Sequence, residues 1–203
     1  NDEAVLQPEA FLSYTWEDGT WLGAGLFTNL ELTGFSGRAD EFTETDWIVE
    51  GATPAGGGFV SLGIAAYTYP DAAADATAEA WLAWEKEEMF LMPRLELWYD
   101  FLEADGFYAR GRFAHERELA ARWRVRVEAG LGAMDRDYAA YTSGAGAPGF
   151  SECAGNVQLI WTASAESEIS LSVLGSTLLQ GTARAAVADP DLFWFALTWA
   201  VAL

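Results

Sequence analysis

The side chains of one short segment alternate strictly between two chemical classes. The segment is RWRVRVEAGLG, residues 122–132. One parity is charged and holds Arg122, Arg124, Arg126 and Glu128, while the other is apolar and holds Trp123, Val125, Val127, Ala129 and Leu131. Successive side chains of a β-strand point to opposite faces of a sheet. The segment therefore predicts a strand with one charged face and one apolar face.

The same period of two runs along most of the chain and predicts an all-β, antiparallel protein. Eleven segments show it: residues 9–17, 20–33, 45–52, 58–69, 77–85, 89–102, 106–117, 122–133, 153–164, 167–179 and 192–203. We expect no helix longer than one turn. No linker or break in composition divides the 203 residues, so we expect a single domain over 1–203.

The connections between these segments alternate in length. Short ones occupy residues 17–20, 53–57, 85–88, 116–121 and 164–168, and longer ones occupy 34–44, 70–76, 134–152 and 180–191. The connection at 103–106 is short where the alternation requires a long one. Tight turns at one end and longer loops at the other are typical of up-and-down outer-membrane barrels. We therefore predict a transmembrane β-barrel of about 12 strands.

The strand count leaves alternatives open. Bacterial single-chain barrels have an even number of strands, but only eleven segments are visible. A first strand is absent, or residues 1–8 supply one with a weak pattern, or one strand is divided wrongly and the count is ten.

The alternation assigns a facing to each row. Aromatic residues stand near the row ends, as in the aromatic girdles of membrane barrels. The residues predicted to face lipid are Leu95, Leu97, Trp123, Val125, Val127, Phe195, Leu197 and Trp199. The residues predicted to line the lumen are Arg94, Glu96, Asp100, Arg110, Arg112, Arg122, Arg124, Arg126 and Glu128. Two roles stay open for the lumen row: paired charges that fill a narrow barrel, or unpaired arginines that favour anions.

Several motifs follow one another in an order that is similar to a known family. They are VLQP at 5–8, FTETDW at 42–47, YTYP at 67–70, LMPRLELWYDFLEADGFYA at 91–109 and FWFALTWAVAL at 193–203. The chain resembles the TorF-like porins, a family of small bacterial outer-membrane β-barrels. Members of that family begin with one more strand before the first motif, and they commonly end in an aromatic residue where this chain has Leu203. The resemblance implies an outer-membrane location and pore activity.

Composition argues against other classes of function. The net charge of −20 disfavours nucleic acid as a partner, because phosphates would be repelled. His115 and Cys153 are the single histidine and the single cysteine, so neither a metal site of several such ligands nor a Ser-His-Asp triad is expected. Glu96 and Asp100 are four strand residues apart, ~13 Å, which is too far for a glycosidase pair. We expect no enzyme, no catalytic residue and no cofactor.

We expect outer-membrane lipid as the main partner and the bacterial outer membrane as the location. Other envelope proteins or further copies of this chain are open as additional partners. The alternative function is a soluble closed β-barrel that carries an apolar ligand. That alternative reverses the facing, because Trp123, Val125 and Val127 would then line a cavity while the arginines met water.

Overall fold

The period-2 pattern folds into strands, and the all-β antiparallel class is confirmed. A computed structural model describes residues 4–32, 42–70, 75–144, 146–186 and 190–202. Strand accounts for 71% of the structure, and these described residues hold only two short helices. The strands are β1 (Val5–Leu6), β2 (Glu9–Thr15), β3 (Trp21–Glu31), β4 (Phe42–Ala55), β5 (Gly58–Thr68), β6 (Thr77–Glu85), β7 (Pro93–Asp100), β8 (Gly106–Ala120), β9 (Trp123–Met134), β10 (Gly149–Ser164), β11 (Ser167–Leu178) and β12 (Asp191–Val201).

The twelve strands occupy eleven positions in one sheet, because β1 and β2 pair with the same neighbour. From β3 to β12 each strand pairs with the next in chain order, which is the up-and-down order predicted for the barrel. Closure of the sheet into a transmembrane barrel stays a prediction. β1 pairs with Leu30–Glu31 of β3, and β2 pairs with Trp21–Phe27 of the same strand. Pro8 separates β1 from β2, since it has no N–H to donate, although its carbonyl still accepts from the Thr28 amide at 3.1 Å. β1 therefore extends the first predicted segment and adds no new neighbour to the sheet.

The described residues group into two compact units, and we describe each by itself. The first unit comprises residues 1–84 and 97–107, and the second comprises 85–96 and 108–203. The expectation of a single domain over 1–203 stays a prediction.

The expectation of no helix longer than one turn is wrong. α1 (Arg136–Ser143) spans eight residues inside the long connection between β9 and β10. Its signals are local: the Asp135 side chain accepts from the Tyr138 amide at the amino end, and Gly144 adopts a left-handed conformation with φ 70 at the other end.

A second, shorter helix, α2 (Gly181–Ala186), lies between β11 and β12 and contacts α1. Its Arg184 donates to both carboxylate oxygens of Asp191 at 2.9 Å. The hydrogen bond to Asp191 raises the pKa of the Arg184 guanidinium. The pairing holds α2 against the start of β12.

The first unit contains a close approach between an indole ring and a glycine. Trp81 stacks on Trp98 with ring centroids 4.9 Å apart. Gly63 lies on the neighbouring strand β5, and a Cβ built at this glycine would lie 2.1 Å from Cζ2 of Trp81. No real side chain tolerates such a contact, so β5 needs glycine at this position to let the indole lie flat on the backbone.

We expect Gly63→Ala to destabilise the protein by about 1–3 kcal/mol, because the added methyl group displaces the Trp81 ring from its stacked position. Unfolding followed by tryptophan fluorescence measures this change. Gly111→Ala is the matched control, since its Cβ would meet Leu95 Cδ2 at 3.6 Å, an ordinary contact. Equal stability of the two variants would contradict the packing argument.

Candidate functional site

One face of the strands carries large apolar side chains that are exposed. Leu197 is 77% exposed and Trp123 is 42% exposed. Of the eight residues predicted to face lipid, seven are exposed and Val125 is half-buried. The same alternation appears in the first unit, where the exposed residues of β4 to β6 include Trp47, Val49, Leu62, Ile64 and Leu82. Apolar exposure on this scale is unusual for a surface in contact with water.

The opposite face of the second unit carries arginines and glutamates that pair across strands. Glu96 of β7 lies at the centre with a side chain only 5% exposed. Its carboxylate is 2.9 Å from Arg94 Nε and 3.0 Å from Arg112 Nε. Arg94 also contacts Glu85 at 3.0 Å, and Arg112 contacts Glu128 at 3.1 Å.

This row continues to Arg126, which lies 3.8 Å from Glu128. Carboxylates and guanidiniums therefore alternate along the series Glu85, Arg94, Glu96, Arg112, Glu128 and Arg126. We call this series the ion-pair row. Three negative and three positive charges make it neutral as a whole.

Two smaller clusters lie on the same face. Arg124 contacts Glu116 at 3.2 Å and Glu168 at 2.9 Å, and it thereby joins β8, β9 and β11. Arg110 lies 3.9 Å from Glu152, whose carboxylate also accepts from the Tyr108 hydroxyl at 2.7 Å. Most predicted arginines are thus engaged with carboxylates, which favours the charge-filling role over the anion-selecting role for these positions.

Two of the nine residues predicted for the polar row have a different local setting. Arg122 is exposed and lies in the two-residue turn between β8 and β9, so it is outside the strand and has no part in the ion-pair row. The sequence pattern extends through the turn because Arg122 keeps the parity of Arg124. Strand ends are the least certain part of such a pattern.

Asp100 is the second exception, because it is buried and holds a turn. It is 1% exposed. One carboxylate oxygen, Oδ2, accepts from the Thr77 hydroxyl at 2.5 Å. The other, Oδ1, accepts from the backbone N–H groups of Leu102, Glu103 and Ala104 at 2.9–3.0 Å. Asp100 therefore caps the connection between β7 and β8 and does not lie along an open surface.

A polar pocket opens beside the ion-pair row within the second unit. Its volume is about 250 Å³. Seven charged side chains line it: Lys86, Arg94, Arg112 and Arg126, with Glu85, Glu87 and Glu128. Met92, Pro93 and Ala114 complete the wall. The pocket adjoins the turn between β6 and β7.

The polar face of the first unit is acidic. Its described residues include no lysine or arginine, and Arg38 lies outside the described residues. Asp46, Glu79 and Asp100 are buried. Glu79 accepts from the Tyr67 hydroxyl at 3.0 Å, whereas Oδ1 of Asp46 has no hydrogen-bond partner among the described residues.

Several carboxylates of the polar face are absent from the predicted row, among them Glu85, Glu152 and Glu168. Each has the parity of the polar row on its own strand, so parity alone could have placed it on that face. Its arginine partner depends on the register between strands, which parity does not supply.

His115 and Cys153 have ordinary structural surroundings. His115 Nδ1 lies 2.9 Å from the carbonyl oxygen of Phe90, and its ring contacts the Phe90 ring with centroids 4.3 Å apart. Cys153 is half-buried in β10 with a free thiol.

Within the described ranges, no group of three or more His, Cys, Asp or Glu side chains could hold a metal ion. No helix in the same ranges is long and apolar enough to span a bilayer.

Comparison with known proteins gives no match to this chain, either among family models or among curated proteins. The resemblance to TorF-like porins therefore stays a prediction from the motifs themselves.

Proposed function

We propose that this protein is a bacterial outer-membrane protein whose exposed apolar face lies against lipid. The polar face would then line a narrow, water-containing lumen, either as a porin-like channel or as the interior of a structural envelope protein. The exposed apolar rows of both units carry this proposal, because they alternate with the polar rows and extend over β3 to β12. Lipid is the partner that stabilises such a surface without the cost of hydrating it.

The geometry of the ion-pair row supports a narrow lumen over a wide one. Glu96 is shielded by two arginines that come from β7 and β8, and Arg112 reaches on to Glu128 of β9. Side chains that bridge three strands fill the space in front of them. Side chains fill the interior of an eight-stranded barrel, and paired charges of this kind would narrow the interior of a larger one.

Purification tests the proposal directly. We expect the full chain to be monodisperse in detergent and to aggregate when detergent is removed. We also expect unheated and boiled samples to migrate differently in gel electrophoresis. A chain that stays monodisperse without detergent would favour the soluble carrier instead.

Conductance then separates the two forms of the proposal. Recordings of the refolded chain in a planar bilayer should give small, discrete current steps if the lumen is continuous. Silence at all voltages and salt concentrations would assign the protein a structural role in the envelope.

We expect Val127→Arg to destabilise the protein in lipid vesicles by about 2–4 kcal/mol, because the guanidinium would replace a methyl group that faces hydrocarbon near the middle of β9. Val127 is already exposed, so in a water-soluble protein the same change should alter the free energy of unfolding by at most about 0.5 kcal/mol. Urea unfolding in vesicles measures the difference. Arg117→Gln, also on the apolar parity but next to the turn, provides a control with the opposite change in charge.

A further inference from the structure

We propose that the polar pocket beside the ion-pair row binds a small oxyanion, a carboxylate or a phosphate, through Arg126 and Lys86. This inference goes beyond the proposed function, because binding does not require that the chain conduct. It rests on which basic groups of the pocket already have carboxylate partners and which do not.

Arg94 and Arg112 are occupied by the protein itself. Each makes two contacts of 2.9–3.1 Å with carboxylates: Arg94 with Glu85 and Glu96, Arg112 with Glu96 and Glu128. These short contacts leave each of the two guanidiniums with fewer donors for a ligand than Arg126 has. They shape the wall of the pocket and leave the recognition of an anion to other residues.

Arg126 has a much weaker partner. Its one ion pair among the described residues is with Glu128 at 3.8 Å, beyond hydrogen-bonding distance. Glu128 is itself engaged by Arg112 at 3.1 Å. Within the described part of the chain, the Arg126 guanidinium therefore makes no hydrogen bond, and its planar fork of donors is available. That fork matches the two oxygens of a carboxylate or phosphate.

Lys86 adds a second positive charge to the same pocket. It is the single lysine of the chain. Its side chain lines the pocket, and among the described residues its ammonium group has no ion pair. Two basic groups without close partners attract an anion more strongly than one. Glu87 also lines the pocket, but it is exposed at the turn, where water and salt screen its charge. The volume of about 250 Å³ accommodates an ion of this size together with several waters.

Calorimetric titration of the full chain in detergent, at low ionic strength, tests the inference with inorganic phosphate and with acetate as separate probes. We expect at least one of the two anions to bind the unmodified protein. Arg126→Gln should weaken that binding by at least about tenfold, since a bond between charged partners is lost. Lys86→Gln should weaken it by a smaller factor. An unchanged mobility shift between unheated and boiled samples would verify that each variant is folded.

Arg117→Gln is the matched control, because it removes the same charge from the opposite face of β8, where Arg117 is exposed. We expect it to leave binding unchanged. If Arg126→Gln and Arg117→Gln weakened anion binding equally, the effect would come from net charge alone and the inference would be overturned. A folded protein that binds neither anion would also overturn it. Because the titration uses no bilayer, such a failure would leave the outer-membrane proposal intact, and aggregation tests without detergent would judge that proposal separately.

Discussion

Asp100→Ala should reduce the free energy of unfolding by about 3–5 kcal/mol, because it removes a buried carboxylate that accepts four hydrogen bonds. Three of the donors are consecutive backbone N–H groups, from Leu102 to Ala104, and the fourth is the Thr77 hydroxyl. Without Asp100, these donors lose their acceptor in a site that is 1% exposed. Urea unfolding in detergent micelles measures the loss.

Asp100→Asn separates acceptor geometry from charge. The amide oxygen can still accept from the three backbone donors, and the amide nitrogen can donate to the Thr77 oxygen once that hydroxyl turns its proton away. We therefore expect a cost of about 1–1.5 kcal/mol, which reflects the loss of charge assistance. If the asparagine variant were as unstable as the alanine variant, the negative charge itself would be the essential property. A small effect of both would mean that the turn holds without this side chain.

Glu96→Gln should cost roughly 3–4 kcal/mol, because it leaves Arg94 and Arg112 facing each other across a neutral amide. Both guanidiniums are partly shielded, with exposed fractions of 29% and 23%, so water compensates for the lost charge only in part. Each arginine keeps one further carboxylate, which is why the expected cost lies at the low end for a broken buried pair. Thermal unfolding in micelles would detect the change.

Glu116→Gln is the matched control for Glu96→Gln. Glu116 contacts one arginine, Arg124, at 3.2 Å, and its side chain is more exposed than that of Glu96. We expect a cost below about 1 kcal/mol. Raising the salt concentration should diminish the effect at Glu116 and leave most of the effect at Glu96, because buried charges are poorly screened. Equal costs at the two positions would show that burial does not set the strength of these pairs.

Most strands could be predicted from the sequence because their two faces differ in chemistry, even though β2 and β12 are exposed along almost their whole length. The pattern in β9 is the clearest case, since Arg124 and Arg126 alternate with apolar neighbours over the whole strand. Residues 79–88 have a composition that also suits a helix, but the alternation over 77–85 predicts a strand, and β6 spans Thr77–Glu85.

Other features depend on information that a period of two does not carry. α1 is specified by a cap at Asp135 and a glycine at 144, signals that lie at its ends and not in any repeat. The partners of the arginines depend on strand register, so Glu168 could not be linked with Arg124 before the strands were aligned. The role of Asp100 depends on a turn that brings three backbone donors to one oxygen. The parity of Asp100 on β7 predicts only the face of the strand on which this side chain lies.

The ion-pair row has a consequence for how β7, β8 and β9 find their alignment. The pairing of β8 with β9 is continuous from Tyr108 to Glu118 and shifts between Glu118 and Ala120, next to the hairpin turn. A slip of β8 by one residue would turn Arg112 to the opposite face and present Gly111 or Phe113 to Glu96. In the misaligned hairpin the shielded carboxylate of Glu96 would keep Arg94 but lose Arg112, one of its two positive partners. A one-residue slip would also turn the apolar residues of β8 to the polar face, so the charge pairs and the apolar row select the same alignment of these strands.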